Sequence, residues 1–573
     1  MKIFKYLKKY WFFAILAPIF MVGEVLMDLV QPLLMSKIVD EGLANNNIEL
    51  VIKTGLLMLG LVLAGGFFGI MCGVFTNKAA FSYSNDLRQD VFKHVIDLSF
   101  EQTDNFTTGS LVTRITNDIT QVTNIVSMSM RMLIRTLMQF VIGVIFLLKI
   151  NSEFSKILLV ILPLLLIMII IFLVRLSPLF SKIQGRVDDV NAVVQENVTG
   201  ARVVKAYTAE DKEIKRFSKA NDNLFNINWK VFKTMSLMGP FMSLCIYSAL
   251  IAILYVGGTN IKNNMGLEVG DLTAAITYIS IILMGFMSLA MFFQFIVRGT
   301  ASIKRLNAVL QTVPAVLEGD EVEGSEVGTV EFRNVSFTYP GSSGDKVLNN
   351  INLKVNKGEK IGILGSTGCG KSTLVNLITR FYDASSGDVL VDGLNVKEYK
   401  FSALRNKVAL VLQKSELFSG TIKENICWGK EDASFEEVEY AASIAQADSF
   451  IKSFNEGYDT YVAEKGASLS GGQKQRISIS RALIKKPEIL IFDDSTSALD
   501  LQTEANLYKA INANLKDMTI ITIAQRVASV KNADKIIVLD DGEIASIGSH
   551  EELIKTSKIY QDIYNSQLKK DGE

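Results

Sequence analysis

The chain of 573 residues is too long for one domain of usual size, and its 59 Lys and Arg balance its 59 Asp and Glu, so net charge gives no sign of a polyanionic partner such as nucleic acid. Its four cysteines (Cys72, Cys245, Cys369 and Cys427) are scattered without C-x-x-C spacing, which argues against a disulfide framework and against a zinc site. Composition changes along the chain: before about residue 310 several apolar stretches reach the roughly 20 residues a bilayer span requires, and after residue 329 short strand-like and helix-like segments alternate.

Lys2, Lys5, Lys8 and Lys9 precede an apolar run that continues to about Ile38. No short apolar core followed by a small-residue cleavage site is present, so an interfacial helix leading into a first span is expected rather than a signal peptide. Further spans are expected near 51–77, 128–150, 155–177, 237–261 and 271–298, six in all. The long segments 78–127 and 178–236 are basic, with Arg186, Arg202, Lys205, Lys212, Lys215 and Arg216, whereas the short connections near 40–50, 151–154 and 262–270 carry few cations. The basic segments and both termini are therefore expected in the cytoplasm. Helix-like patterns run on through Asn105–Asp118 and Val193–Phe217, so the helices should project beyond the bilayer.

Charges within spans are costly and usually face the bundle interior or water. Glu24 and Asp28 lie one turn apart in the first span, and Arg131 and Arg135 repeat that spacing in the third. Depth counting pairs Asp28 with Arg135 and Glu24 with Arg131 in a structural ladder; the competing reading has the acids face a cavity and attract a cationic substrate. The sixth span aligns Met284, Met287, Met291 and Phe295, with Phe286, Phe292 and Phe293 nearby. Such a stripe suits varied apolar ligands and suits helix packing equally.

Residues 312–328 are acidic, contain Gly and lack large apolar clusters, and read as a linker between a 1–311 membrane domain and a 329–573 domain. The second domain opens on the strand-like alternation of Val330–Tyr339. Gly365, Ser366, Thr367, Gly368, Cys369, Gly370, Lys371, Ser372 and Thr373 read G-S-T-G-C-G-K-S-T between an apolar strand-like run and a helix-like segment. That is the setting of a phosphate-binding P-loop: backbone N–H groups line a hollow, Lys371 reaches the β and γ phosphates, and the Ser372 hydroxyl takes a Mg²⁺ position. A second apolar run, Ile489–Phe492, ends in Asp493, placed to offer a carboxylate to the same Mg²⁺.

With L-S-G-G-Q at Leu469–Gln473 and S-A-L-D at Ser497–Asp500, these motifs resemble the nucleotide-binding domain of an ABC transporter. With six spans in front, the chain resembles an ABC exporter half-transporter over nearly its whole length. The resemblance implies a six-helix α-helical transmembrane domain fused to an α/β P-loop ABC-type nucleotide-binding domain, using ATP and Mg²⁺ at a multi-pass site in the cell membrane. It also implies that Tyr339 stacks on adenine and that Gln413 reads Mg²⁺ and the membrane domain. Ser470, Gly471, Gly472 and Gln473 would meet the ATP of a second subunit across a head-to-tail dimer, with Asp500 nearby. Glu464 would touch the cytosolic helices, and Asp104–Thr108 and Ala206–Asp211 would be coupling segments.

Two positions depart from the family pattern. Asp494 stands where the general-base Glu is normal, and shortening the side chain by one methylene withdraws the carboxylate by roughly 1.5 Å, a misplacement that can cost about 10² to 10⁴ in rate. Gln525 stands at the switch histidine, and Gln can hydrogen-bond a phosphate but cannot carry a proton to it. Asp494, Gln525 and Lys371 are the expected catalytic set. The two departures beside an intact signature resemble bacterial heterodimeric multidrug-type exporters, implying an own site poor in hydrolysis, a non-identical half-transporter as partner, and small apolar or amphipathic cargo. The alternatives are a homodimeric exporter of lipid or peptide and a membrane-bound ATP-sensing regulator.

Overall fold

The computed structural model describes residues 3–568 except Asn264, Ser343 and Asp345; Lys2 lies outside the described residues. Contacts divide the chain into two units, Met1–Ile96 with Gly109–Gln311, and Asp97–Thr108 with Thr312–Glu573. The short segment Asp97–Thr108 thus groups with the second unit although it interrupts the first in sequence.

The first unit is helical. Among the described residues six helices are long and apolar enough to cross a membrane: α1 (Ile3–Leu43), α2 (Ile48–Ile96), α4 (Thr108–Ile150), α5 (Ser152–Thr199), α7 (Glu210–Lys262) and α8 (Val269–Gln311, apolar over Val269–Leu289), with the short α3 (Phe100–Phe106) and α6 (Ala201–Ala206) between them. Helices of 48 to 53 residues, as in α2, α5 and α7, far exceed the roughly 20 needed to span hydrocarbon, so much of each extends beyond it. In α1, Met21, Val25 and Leu29 recur every four residues and are buried, while Ile15, Ile19 and Leu26 on other faces are exposed. The exposed apolar face is what a lipid-facing helix requires, because its backbone is already satisfied internally. At the start of α1, Lys9 Nζ reaches Asp86 at 2.8 Å, Tyr10 donates to the same carboxylate at 2.9 Å, and Tyr6 bonds Asp90, tying this first turn to α2.

The expected charge ladder takes a different form. Arg135 alone grips both acids, Nη1 to Glu24 Oε1 at 3.0 Å and Nη2 to Asp28 Oδ2 at 3.1 Å, and among the described residues Arg131 makes no ion pair. A guanidinium is a fork, and two carboxylates one helical turn apart present one oxygen to each tine. Glu24 also packs against bare backbone on α2: a Cβ built on Gly69 would stand 3.0 Å from Glu24 Oε2. A second clamp, not foreseen from sequence, joins α4 to α8, where buried Asp118 accepts from Arg305 Nε at 2.8 Å and from Ser302 Oγ at 2.8 Å. The methionine stripe divides, with Met284 and Phe295 exposed, Phe292 buried, and Met287 and Phe286 packed on the helix core; the side chains of Met291 and Phe293 lie outside the described residues.

The second unit is α/β. An antiparallel sheet is formed by β1 (Val330–Phe337), β2 (Leu348–Val355), β4 (Ser386–Val391) and β5 (Leu394–Asn395) in the order β2-β1-β4-β5. The main sheet comprises β3 (Lys360–Gly365), β6 (Val408–Val411), β7 (Ile489–Asp493), β8 (Thr519–Ile523), β9 (Lys535–Asp540) and β10 (Glu543–Gly548), ordered β10-β9-β3-β8-β7-β6 and parallel except for the β9-β10 edge. Ile489 and Ile491 feed one core while Leu490 and Phe492 feed the other, as expected for a parallel sheet covered on both faces. The segment 312–328 is bonded to this unit rather than hanging as a tether: Gly319, Glu321 and Glu326 donate backbone N–H groups to Tyr399, Glu398 and Asp392. Within the same unit α3 seats Phe100 against Phe381, ring centroids 4.5 Å apart, and Asp104 accepts from Tyr382 at 2.9 Å.

Because Arg135 is the shared cation, replacing it strands two acids at membrane depth. Arg135→Met is expected to lower the yield of monodisperse full-length protein, and adding Glu24→Gln with Asp28→Asn should restore it; failure of the triple variant to recover would assign Arg135 a role other than charge pairing.

Candidate functional site

The register of the main sheet builds the site. Ile523 at the end of β8 lies level with Ile363 of β3 and with Asp493 of β7, so three neighbouring parallel strands finish at one edge. The segments leaving those strands therefore converge there: the P-loop after β3, Asp494 after β7, Gln525 after β8. They line a cavity of about 370 Å³ together with Tyr339, Val347, Thr367, Gly368, Gly370, Lys371, Ser372, Thr373, Gln413, Asp493 and Ile523.

The P-loop turns into α9 (Lys371–Ile378) through Gly368 at φ 90° and Gly370 at φ 98°. A Cβ at Gly370 would meet Val347 O at 2.8 Å, so both conformation and space demand glycine there. Lys371 Nζ spans the loop, donating to Gly365 O at 2.9 Å and Ser366 O at 2.7 Å. Tyr339 stands beside the loop with its hydroxyl 3.0 Å from Thr373 Oγ1. Cys369 is buried, its sulfur 3.7 Å from Lys371 Nζ.

Ser372 Oγ donates to Asp493 Oδ1 at 2.8 Å, which brings a hydroxyl and a carboxylate to one spot. This pairing of oxygen donors fits Mg²⁺, a hard cation that keeps several waters and takes one or two carboxylates among its oxygen ligands. Burial pushes the Asp493 carboxyl above its usual range; the hydrogen bond from Ser372 opposes that shift and the neighbouring Asp494 adds to it. A cation beside Asp493 would reverse the penalty.

Asp494 takes a left-handed backbone conformation, φ 47°, which a short Asp tolerates better than most residues. Its Oδ2 accepts two amide hydrogen bonds, from Gln413 Nε2 at 3.0 Å and Gln525 Nε2 at 2.8 Å. Both amides spend a donor on the same oxygen. The two departures noted in the sequence are therefore partners in one contact rather than independent losses.

The signature residues stand elsewhere. Ser470 caps α10 (Gly471–Leu483) in a capping box, its N–H donating to Gln473 Oε1 at 2.9 Å and its hydroxyl accepting from Gln473 N. Ser470, Gly471, Gly472 and Gln473 do not line the cavity. Neither does Asp500, which caps α11 (Leu501–Asn514): its carboxylate accepts from Thr503 Oγ1 at 2.7 Å and Thr503 N at 2.9 Å, and these bonds hold it below the usual range. Glu464 is exposed on a short turn, and the segment Ala206–Asp211 leaves Tyr207 79% exposed. Sequence reasoning missed a second cavity of about 610 Å³ in the same unit, lined among others by Phe381, Arg405, Gln413, Phe418, Trp428 and Asp493. Phe418 and Trp428 stack there with centroids 3.9 Å apart; two aromatics ten residues apart, on either side of the short helix Ile422–Cys427, give no periodic signal. Gln413 and Asp493 border both cavities.

Known proteins share both units. Residues 14–287 match the ABC transporter transmembrane region and residues 348–497 match the ABC transporter family. The ABC transporter ATP-binding protein YfiB of Bacillus subtilis is 38% identical over all of this chain and 99% of its own length, and the ATP-dependent lipid A-core flippase of Desulfotalea psychrophila is 35% identical over 89% of each. A solved bacterial Atm1-family ABC exporter with ATP bound superposes with a TM-score of 0.83 at 26% identity, covering 97% of this chain and 99% of that one. These relatives overturn the heterodimeric assignment and its non-identical partner subunit: exporters of Atm1 and lipid-flippase type typically pair as homodimers. The expectation counted Asp494 and Gln525 as two independent losses, whereas Gln525 Nε2 donates to Asp494 Oδ2 at 2.8 Å and the two form one contact. Six membrane-spanning helices fused to a P-loop ATPase with this motif set identify the chain as a member of the ABC transporter family, of the exporter type, and as a multi-pass membrane protein.

Proposed function

We propose that the chain is an ATP-driven exporter of lipid-like or other amphipathic compounds at the cell membrane, working as a homodimer with both termini and the ATPase units in the cytoplasm. One observation carries this reading: a single chain holds both halves of a composite site, a P-loop cavity and a Ser470-capped helix N-terminus that lies outside it. Two identical copies arranged head to tail complete each other. Similarity to lipid A-core flippases supports the cargo class.

In each site Tyr339 stacks on the adenine, the loop from Gly365 to Thr373 cradles the phosphates, and Lys371 leaves its carbonyl partners for the β and γ phosphates. Ser372, Asp493 and the amide oxygen of Gln413 would hold Mg²⁺, which when bound draws charge off the phosphate oxygens. Asp494 is the general base. Its Oδ2 is held by Gln413 and Gln525, which leaves Oδ1 to take a proton from the water that attacks the γ phosphorus as the bond to the departing ADP breaks. Gln525 fixes the carboxylate and orients the water without carrying charge. From the other copy, the α10 N-terminus directs its N–H groups and dipole at the γ phosphate, while Asp500 holds the start of α11 in place by capping it. ATP therefore favours the closed pair, and hydrolysis releases it. Gln413, bordering both cavities, is placed to report the state of one to the other.

Reconstitution into proteoliposomes with a fluorescent phospholipid tests the reading: ATP-dependent movement of the lipid and lipid-stimulated ATP turnover are expected. Turnover that no lipid or amphiphile stimulates, with no ATP-dependent movement, would favour a membrane-bound ATP sensor. Asp494→Asn should cut turnover by about 10² to 10⁴ while leaving ATP binding measurable. Gly370→Ala should instead weaken ATP binding, by about tenfold or more, since the added methyl displaces the loop by a distance that such sites do not tolerate.

A further inference from the structure

The loop that carries Gln525 is held from outside the cavity. Helix α12 (Val527–Val530) comes directly after it, and α13 (His550–Thr556) and α14 (Lys558–Leu568) lie later in the chain. From α14, Gln567 reaches the loop with both ends of its amide: Nε2 donates to the Gln525 carbonyl at 2.7 Å, and Oε1 accepts from Val527 N at 2.8 Å. These two backbone groups flank Arg526, immediately after the switch residue. One side chain thus reproduces a strand-like pair of hydrogen bonds, because a primary amide presents a donor and an acceptor side by side on separate atoms.

The clamp has a firm base. Tyr560 of α14 is fully buried, with its hydroxyl 2.6 Å from His550 Nδ1, and Ser557 Oγ lies 2.8 Å from Ser546 Oγ on β10. Tyr560 and Leu553 share a core with Val527 and Val530 of α12 and Leu364 at the end of β3. On the other side of the loop, Ala524 N donates to Ile363 O at 3.2 Å. The Gln525 peptide is therefore pinned before and after, and its side chain is delivered to Asp494 Oδ2 at 2.8 Å.

We propose that Gln567 is a positioning residue for ATP hydrolysis: it touches neither nucleotide nor Asp494 and acts by orienting the Gln525 peptide so that the Gln525 amide stays on the base. The proposal rests on the roles of Gln525 and Asp494 in the proposed function. Loss of the clamp lets the loop turn, and a base or its orienting group displaced by a fraction of an ångström to an ångström costs rate rather than binding.

The experiment uses the full chain in lipid nanodiscs, with steady-state kcat and KM for ATP and the thermal midpoint measured for Gln567→Ala, Gln567→Glu, Gln525→Ala and the Gln525→Ala/Gln567→Ala pair. Gln567→Glu keeps the acceptor for Val527 N–H and places a carboxylate against the Gln525 carbonyl, so it breaks the donor half without opening space. The expected result is a fall in kcat of about tenfold for both Gln567 variants, an unchanged KM and midpoint, and a double variant no slower than Gln525→Ala alone. If Gln525→Ala slows turnover but the Gln567 variants do not, or if the two losses multiply, the positioning role is wrong while the Gln525 reading stands. If Gln525→Ala leaves kcat unchanged, the underlying reading falls and this one with it. A fall in kcat accompanied by a lowered midpoint in both Gln567 variants would also overturn it, as the mark of a merely structural contact.

Discussion

The ATPase unit depends on one constraint: in a parallel sheet, neighbouring strands end at the same edge. With β3, β8 and β7 adjacent and in register, the chemistry carried just beyond each strand is forced together although the three segments are far apart in sequence. The P-loop, Asp493, Asp494 and Gln525 therefore meet in one cavity of about 370 Å³. Ile489 and Ile491 on one face and Leu490 and Phe492 on the other are all buried, so the strand that ends in Asp493 runs through the core to that edge.

Polar side chains then refine what the sheet brings near. Asp494 is held by two amides through one oxygen, and one of those amides belongs to a loop that α14 fixes by its backbone. In the membrane unit the same economy appears, with one guanidinium serving two carboxylates. In both places a short set of directional contacts decides geometry that apolar packing alone would leave loose. Asp494, the buried member of its set, tolerates little substitution, because an orphaned buried partner costs more than the bond contributed.

Much of this was legible in the sequence because it is local. The P-loop is nine consecutive residues, the signature cap is a Ser with Gln three positions on, and the spans are runs of apolar side chains long enough for hydrocarbon. The features that escaped are non-local. Gln567 meets Gln525 across 42 positions, Arg305 meets Asp118 across 187, and no periodicity announces either. Depth counting placed Arg135 near the acids correctly but treated each charge as one half of a pair, whereas a forked cation serves two. Asp500, grouped with the nucleotide ligands by motif, spends its carboxylate on Thr503. The heterodimer expectation failed for the same kind of reason: Asp494 and Gln525 look like two losses when read 31 positions apart and like one contact when seen at 2.8 Å.

The central claim is that two copies of this one chain suffice. The most direct measurement is to purify the full chain expressed by itself, determine its mass in lipid nanodiscs after subtracting lipid and scaffold, and assay Mg²⁺-dependent ATP turnover on the same sample. The account predicts twice the 63.4 kDa of one chain, with steady turnover. A chain that stays monomeric, or that forms a dimer without turnover until a second, non-identical half-transporter is added, would contradict it.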